Sequence, residues 1–411
     1  MTIEIPYYER KTSYGKEKLT MPICKSAQEV DIAEFQRVID AIGDIYSAFR
    51  LIWSMEQANS ARILRTLPVD FNKAEFLEKS FRNPARIPAP INSIARLDVV
   101  NEKIVDINNK PAGAGLITTT ENVWSNEGVW PMGTLPIKAD LSRVFDSKTL
   151  KRIIVATKID YVFSSDQAVL SRNIEEQTGI KTMIVNPQEQ RLDELESTDA
   201  VLCFSYPELR RTESGWVSAM FKKQDRFFVN PLASLVWDNK ALMSLPFLKM
   251  EGVGDLENKL SKLRDVFPIT YLVREKPDGN FEIATELTKD GVQYSNIDMD
   301  NIPTELCKLG EIYIKPLGQS GGRDIVIKNF QDRGGVFSCI KKYGTSRPGI
   351  VIQKTVIPQT NVRGAFIKDG YFFDSRNSQF ITIERMQSVD RLKIHGGSQT
   401  ELVPVYLKGN P

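Results

Sequence analysis

The sequence predicts an α/β protein whose C-terminal half is an α+β sheet domain with hairpins. Three observations predict it. Residues 150–206 alternate strand-like and helix-like patterns, as a mostly parallel sheet with crossover helices requires. Residues 28–66 space apolar side chains by three and four, the period of one helix face. After residue 266 strand-like runs dominate, punctuated by Asp278-Gly279 and Asp369-Gly370, which are strong turn signals.

Taken in order, residues 1–25 are polar and aromatic with little periodicity. Val38, Ile39, Ile42, Ile45 and Tyr46 line one helix face, and Phe49, Leu51, Ile52 and Trp53 continue it. Residues 83–90 carry three prolines and read as a loop. Residues 94–100 alternate as a strand, Asn101-Glu102-Lys103 is a turn, and Ile104 to Ile107 is a second strand, so an antiparallel hairpin is expected. Asn109 to Gly115 closes it with breaker residues. Tyr161-Val162-Phe163 is a strand candidate, 166–178 a helix ended by Gly179, and 182–185 and 200–204 are further strands. Residues 239–266 read as helical. Strand-like runs follow at 269–274, 281–284, 311–316, 324–328, 349–357, 363–367 and 371–373. Three regions result: a helical 1–90, an α/β 91–235 and a sheet-rich 236–411.

The composition narrows the function. The chain has 411 residues, 41% of them hydrophobic and 26% charged, which is ample for a folded core. A net charge of +2 gives no reason to expect a nucleic-acid partner, which usually needs a clear basic face. No apolar run is long enough to span a membrane, and the first residues do not read as a signal peptide. The four cysteines are scattered, which predicts reduced thiols and a cytoplasmic location. His395 is the sole histidine, so a His-based zinc site is not expected. Oligomeric state is not legible.

Several short pieces carry potential chemistry. Side-chain direction repeats every two residues along a strand, so Arg96 and Asp98 share a face, as do Asp106 and Asn108. If the hairpin pairs them, two carboxylates and an amide oxygen converge beside one arginine. Magnesium takes such hard oxygen ligands. Asp98, Asp106 and Asn108 are therefore candidate metal ligands, and Arg96 a candidate catalytic residue stabilising negative charge. A surface hairpin with polar residues facing water would show the same pattern. Gln319, Ser320, Gly321, Gly322 and Arg323 form a glycine loop able to approach phosphate, with Lys315 on the strand before it. Such a loop would also suit a plain hairpin. Gln353 and Lys354 interrupt an apolar strand whose backbone could read an adenine edge. Arg363, Arg376 and Asn377 could clamp a carboxylate or phosphate, or simply form a solvated face. Trp124 and Trp130 are either core or a pocket wall.

At these residues the chain resembles the ATP-grasp carboxylate–amine ligases, and among them the glutathionylspermidine synthase-like branch. Arg96-Leu97-Asp98 and Asp106-Ile107-Asn108 are similar to the family's Arg-x-Asp and Glu-x-Asn strands. Asn239-Lys240 resembles its Asn-Lys, and Lys315-Pro316 through Gly321-Gly322 its lysine–proline stretch. Val362-Arg363 and Arg376 through Thr382 are similar to later family segments. The resemblance implies an ATP-grasp fold with an N-terminal helical segment and a Rossmann-like α/β subdomain. It also implies ATP and Mg2+ as cofactors, with Lys240 and Lys315 on ATP. The implied reaction is phosphorylation of a carboxylate by ATP, followed by attack of an amine. Its partners would be a small-molecule acid, such as an amino acid or small peptide, and an amine. The second metal carboxylate is Asp106 rather than Glu, and the loop after Asn108 lacks the family's Asp-Thr-Pro. A small-molecule kinase and a non-catalytic nucleotide-binding protein are the rival readings.

Overall fold

A computed structural model describes residues 2–12, 15–68, 94–108, 113–146, 148–156, 164–186, 196, 199–203, 236–298, 306, 308–317, 325–329, 333–344, 348–361, 363–391 and 400–408. The chain opens with an antiparallel ribbon, β1 (Thr2–Thr12) and β2 (Gly15–Pro22), where the sequence shows no period. After β3 (Gln28–Val30) come the expected helices, α1 (Ile32–Gln57) and the short α2 (Ile63–Thr66). Asp31 caps α1 by accepting the Glu34 N–H at 2.8 Å. The expected hairpin follows as β4 (Ala95–Val100) and β5 (Lys103–Asn108). Its turn places Asn101 and Glu102 at positive φ, 44° and 64°.

The middle of the chain supplies α3 (Ala114–Glu127), β6 (Thr134–Pro136), β7 (Arg152–Ala156), α4 (Ser164–Thr178), β8 (Lys181–Val185) and β9 (Asp199–Cys203). The strands β8, β7 and β9 make a parallel sheet in that order, with α4 crossing between β7 and β8. This is the Rossmann-like subdomain. Its first strand is Arg152–Ala156; the segment 161–163 lies outside the described residues. Gly179 ends α4 at φ 71°, as expected.

Residues 239–266 are not one helix. They form a 3-10 segment, Lys240–Phe247, then β10 (Lys249–Met250), then α5 (Asp255–Lys262) and a 3-10 turn, Leu263–Asp265. Pro246 and the positive φ angles of Gly252 and Gly254 interrupt the helical period. The remaining elements are β11 (Thr270–Glu275), β12 (Phe281–Thr288), β13 (Gly291–Ile297), β14 (Glu311–Pro316), β15 (Val326–Asn329), α6 (Arg333–Gly344) and β16 (Ile350–Lys354). Last come β17 (Phe366–Asp374), β18 (Gln379–Ser388), β19 (Glu401–Val403) and β20 (Val405–Lys408). A large sheet runs β10-β12-β11-β16-β14-β15, with β13 also on β12. A second sheet runs β19-β18-β17-β4-β5.

One expected turn is a strand interior. Asp369-Gly370 lies inside β17, and the real turn is at residues 375–378, where Ser378 has φ 56°. Gly370 is there for close approach. A Cβ on it would stand 2.8 Å from Arg96 Cδ on the adjoining strand.

Two apolar cores flank the second sheet. On one face Leu97, Val99, Tyr371, Phe373 and Ile383 pack under α1, whose Ile42, Ile45, Phe49 and Trp53 are fully buried or nearly so. Phe49 stacks on Trp237 with centroids 4.5 Å apart. Each such side chain contributes about 1.5–3 kcal/mol. On the other face Phe372, Ile381 and Met386 join α3, α4 and the parallel sheet. Trp124 and Trp130 belong to this second core. Their indole N–H groups donate to the Cys24 and Val405 carbonyls. Among the described residues no helix is long and apolar enough to cross a membrane.

Candidate functional site

The antiparallel register pairs Arg96 with Asn108 and Asp98 with Asp106, so all four side chains stand on one face. This is the face covered by α3, not by α1. On the other side of β4, β17 pairs Gly370 with Asp98 and Phe372 with Arg96. In turn β18 sets Glu384 opposite Gly370.

Arg96 is 4% exposed and lies across this surface. Its Nε donates to Asp98 Oδ1 at 2.7 Å, its Nη1 donates to Glu384 Oε2 at 3.1 Å, and its guanidinium sits over the Phe372 ring. Lys368 of β17 reaches the other oxygen of Asp98, at 2.6 Å. The N-terminus of α3 closes the surface. Gly113 has φ 103°, and a Cβ there would lie 3.1 Å from Glu384 Oε1. Asp166 of α4 accepts the Gly113 and Leu116 N–H groups, both at 3.0 Å, and fixes this helix end.

The remaining lysines and their partners arrive from other elements. Asn239 caps the 3-10 segment by accepting the Ala241 N–H and donates to the Pro68 carbonyl, which places the next residue, Lys240. Lys240 Nζ contacts both oxygens of Asp106, at 2.7 and 2.8 Å. Lys315 points from β14 of the large sheet and donates to the Val105 carbonyl of β5 at 3.0 Å, tying the two sheets together. It also donates to Gln353 Oε1 on the paired strand at 2.6 Å, while Gln353 Nε2 donates to Thr270.

Electrostatics follow from this packing. Burial pulls the Lys315 ammonium down to about 8; Asp106 opposes this, and Lys240 and Lys368 reinforce it. Burial also opposes charge on Lys240 and Arg96. Asp106 outweighs it for Lys240, and Asp98 with Glu384 for Arg96, so both stay above their usual values. Burial raises the Glu384 carboxyl to about 7, against the pull of Arg96 and with Asp98 adding to the rise. Four cations, Arg96, Lys240, Lys315 and Lys368, thus meet Asp98, Asp106 and Glu384, with Asp238 acting on Lys240 and Asp166 on Glu384, so the charges nearly balance.

The donor set suits magnesium. Asp98 and Asp106 are hard oxygen donors set directly across from each other. Ammonium groups already occupy cation positions against both. Asn108 could ligate only through its amide oxygen; its buried Nδ2, which has no hydrogen-bond partner among the described residues, is an N–H donor that suits an anion oxygen. Among the described residues no group of three or more His, Cys, Asp or Glu side chains is placed to hold a metal. A metal here would therefore complete its shell with phosphate oxygens.

The structure thus brings together Arg96, Asp98, Asp106, Asn108, Lys240, Lys315 and Gln353. Others stand apart. Lys354 ends β16 in an exposed position, and Arg363 lies exposed in a turn where Asn361 Oδ1 accepts its backbone N–H. Arg376 is held by Asp374 and donates to the Val144 carbonyl. With Asn377, Arg143, Asp146 and Thr149 it lines a separate open cavity of about 270 Å³. Gln319, Ser320, Gly321, Gly322 and Arg323 lie outside the described residues, as do Pro111, Ala112, Val362 and His395. Lys368 and Glu384 were missed by the sequence reading. The only signal for them is the period of two: Lys368 is two residues from Gly370, which pairs with Asp98, and Glu384 stands opposite Gly370, which is visible only once β17 pairs with β4 and β18 with β17.

No protein-family profile matches the sequence, and no curated protein matches it. Solved structures do. A glutathione synthetase-like effector, GSS30 from Globodera pallida, superposes with a TM-score of 0.56 at 10% identity, over 97% of this chain and 93% of its own. This chain has the ATP-grasp-type α/β fold. A candidate gamma-glutamylcysteine synthetase from Methylobacillus flagellatus KT gives a TM-score of 0.43 at 12% identity, over 89% of each chain.

Proposed function

We propose that the protein is an ATP- and magnesium-dependent ligase that joins the carboxylate of an amino acid or small peptide to an amine through an acyl phosphate. The observation that carries this reading is Lys315. It is a 7% exposed lysine that donates to two neutral oxygens, with Lys240 and Lys368 nearby as well as Asp106 and Asp98. A buried cation whose hydrogen bonds go only to neutral oxygens is organised for an anion. Its position, on a strand of the large sheet and bonded to the acidic hairpin, sets that anion between the two sheets.

In the proposed reaction a carboxylate oxygen of the acid attacks the γ-phosphorus and ADP leaves. The amine nitrogen then attacks the acyl carbon, phosphate leaves, and the nitrogen gives up its proton. Lys240 and Lys315 hold the phosphate oxygens. Arg96, steadied by Asp98 and Glu384, faces the acyl oxygen that becomes negative. Asp98, Asp106 and Asn108 would hold magnesium, which would neutralise charge on the transferring phosphoryl group.

The test is nucleotide-dependent product formation. Purified protein incubated with ATP, magnesium and panels of amino acids, short peptides and polyamines should release ADP and yield an amide by mass. Lys315→Met should lower that rate by about 10²–10³-fold. A phosphorylated acid as the end product would replace the ligase reading with a kinase. ADP that fails to bind either the wild-type protein or Lys315→Met would overturn it.

A further inference from the structure

We propose that Lys240 and Lys368 are built-in counter-ions of the acidic hairpin, so that the site accepts a divalent cation only together with a polyphosphate. The proposal rests on the reading above, in which Asp98 and Asp106 face a metal–nucleotide. Its starting point is the register. Asp98 and Asp106 are direct cross-strand neighbours, and like charges in that relation destabilise a sheet. Here each has a cation from outside the hairpin, and Asp98 also has Arg96 of its own strand. Asp98 has Arg96 on Oδ1 at 2.7 Å and Lys368 on Oδ2 at 2.6 Å. Asp106 has Lys240 across both oxygens, at 2.7 and 2.8 Å. Every carboxylate oxygen of the pair is thus in contact with a cation.

A divalent ion arriving alone must displace these ammonium groups. It would leave them beside its own double charge, in a place where the Lys240 and Lys368 side chains are only 15% and 14% exposed. The four cations of the cluster are nearly balanced by its carboxylates, so the ion's two charges create a positive excess there. A polyphosphate reverses both effects. Its oxygens give the displaced ammonium groups new partners, and its charge outweighs the excess. Metal and polyphosphate therefore bind with positive coupling, and each raises the affinity for the other by the same factor. Lys368, which lies in neither the metal nor the nucleotide motif, becomes a residue that sets this coupling.

The experiment uses the full chain and Mn2+ as the probe, titrated by calorimetry and followed by electron paramagnetic resonance, with and without ADP. For the wild-type protein, Mn2+ affinity should rise by about tenfold or more when ADP is present. In Lys368→Met, Mn2+ alone should bind about tenfold more tightly than to wild type, and the coupling to ADP should shrink. Lys240→Met should behave alike; if circular dichroism shows it unfolded, Lys368→Met carries the test. Equal Mn2+ affinity with and without ADP in wild type, or unchanged Mn2+ affinity in folded Lys368→Met, overturns the proposal. Failure of the underlying metal assignment looks different. Mn2+ would then bind no variant under any condition while ADP still binds, and the proposal falls with it.

Discussion

The two faces of the β18-β17-β4-β5 layer use the same strands and alternate residues, yet they treat buried charge in opposite ways. Under α1, Arg385 donates to both oxygens of Asp369, at 2.8 and 2.6 Å, and to the Glu29 carbonyl. The pair is closed: the carboxylate engages one arginine through two parallel bonds, with the Glu34 carboxyl of α1 and the Tyr371 hydroxyl nearby. Under α3, Asp98 is divided between Arg96 and Lys368, and Arg96 is divided between Asp98 and Glu384. That face is a network of shared partners with a lysine, Lys315, whose hydrogen bonds go to neutral oxygens. A closed pair specifies packing. A divided network can exchange one partner for a ligand without leaving a bare charge.

Breaking the closed pair should have the largest effect on stability. Arg385→Met leaves Asp369 buried without its partner and should cost about 3–5 kcal/mol in urea unfolding. ADP binding by the protein that remains folded should be unchanged. Loss of ADP affinity would show the two faces to be coupled rather than independent.

The next effect is a pH dependence at the edge of the network face. Glu121 of α3 is 4% exposed, and burial raises its carboxyl to about 7, although Thr382 and the Ala139 N–H bond to it. The folded value exceeds the ordinary 4.5. The protonated form is therefore the one that folding favours. The stability it contributes is full below pH ~4.5 and is lost as pH rises through ~7. Glu121→Gln keeps an acceptor for the Ala139 N–H, offers Thr382 an N–H donor where it now has an acceptor, and carries no charge. It should flatten this part of the pH–stability profile, gaining up to roughly 3 kcal/mol over wild type at pH 8. An unchanged profile would remove Glu121 as the cause. Glu384 is raised for the same reason and acts in the same window, so some slope should persist.

Gly370→Ala sharpens the comparison from the backbone. The added methyl would meet the Arg96 side chain at 2.8 Å and should cost about 1–3 kcal/mol. It should also weaken ADP binding by shifting Arg96, whereas Arg385→Met should not. The smallest effect belongs to Lys354→Ala. That side chain is exposed at the end of β16, and both stability and ADP affinity should stay within about 0.5 kcal/mol of wild type. A larger loss of ADP affinity would return Lys354 to the nucleotide site.

The hairpin was legible because its information is local. A period of two places Arg96 with Asp98 and Asp106 with Asn108, and a short polar turn brings the strands together. The helix face of α1 was legible for a similar reason, with apolar residues at a period that only a helix aligns. Asp369-Gly370 shows where local reasoning fails. The dipeptide is a good turn in isolation, but here Asp369 binds Arg385 sixteen positions on, and Gly370 makes room for Arg96 some 270 positions earlier. Nothing within a few residues of it reports either contact.

The sequence by itself determined the alternation of α and β elements, the hairpin, and the residue types that converge on it, because these depend on side-chain period and turn chemistry. Only the tertiary structure decided which charges compensate one another. The pairing of β17 with β4 delivers Lys368 and makes room for Arg96, β18 brings Glu384, and the contact of β14 with β5 delivers Lys315. Burial there is what turns ordinary lysines and carboxylates into a low-dielectric cluster. Neither burial nor partner choice is a property of any one segment of the chain.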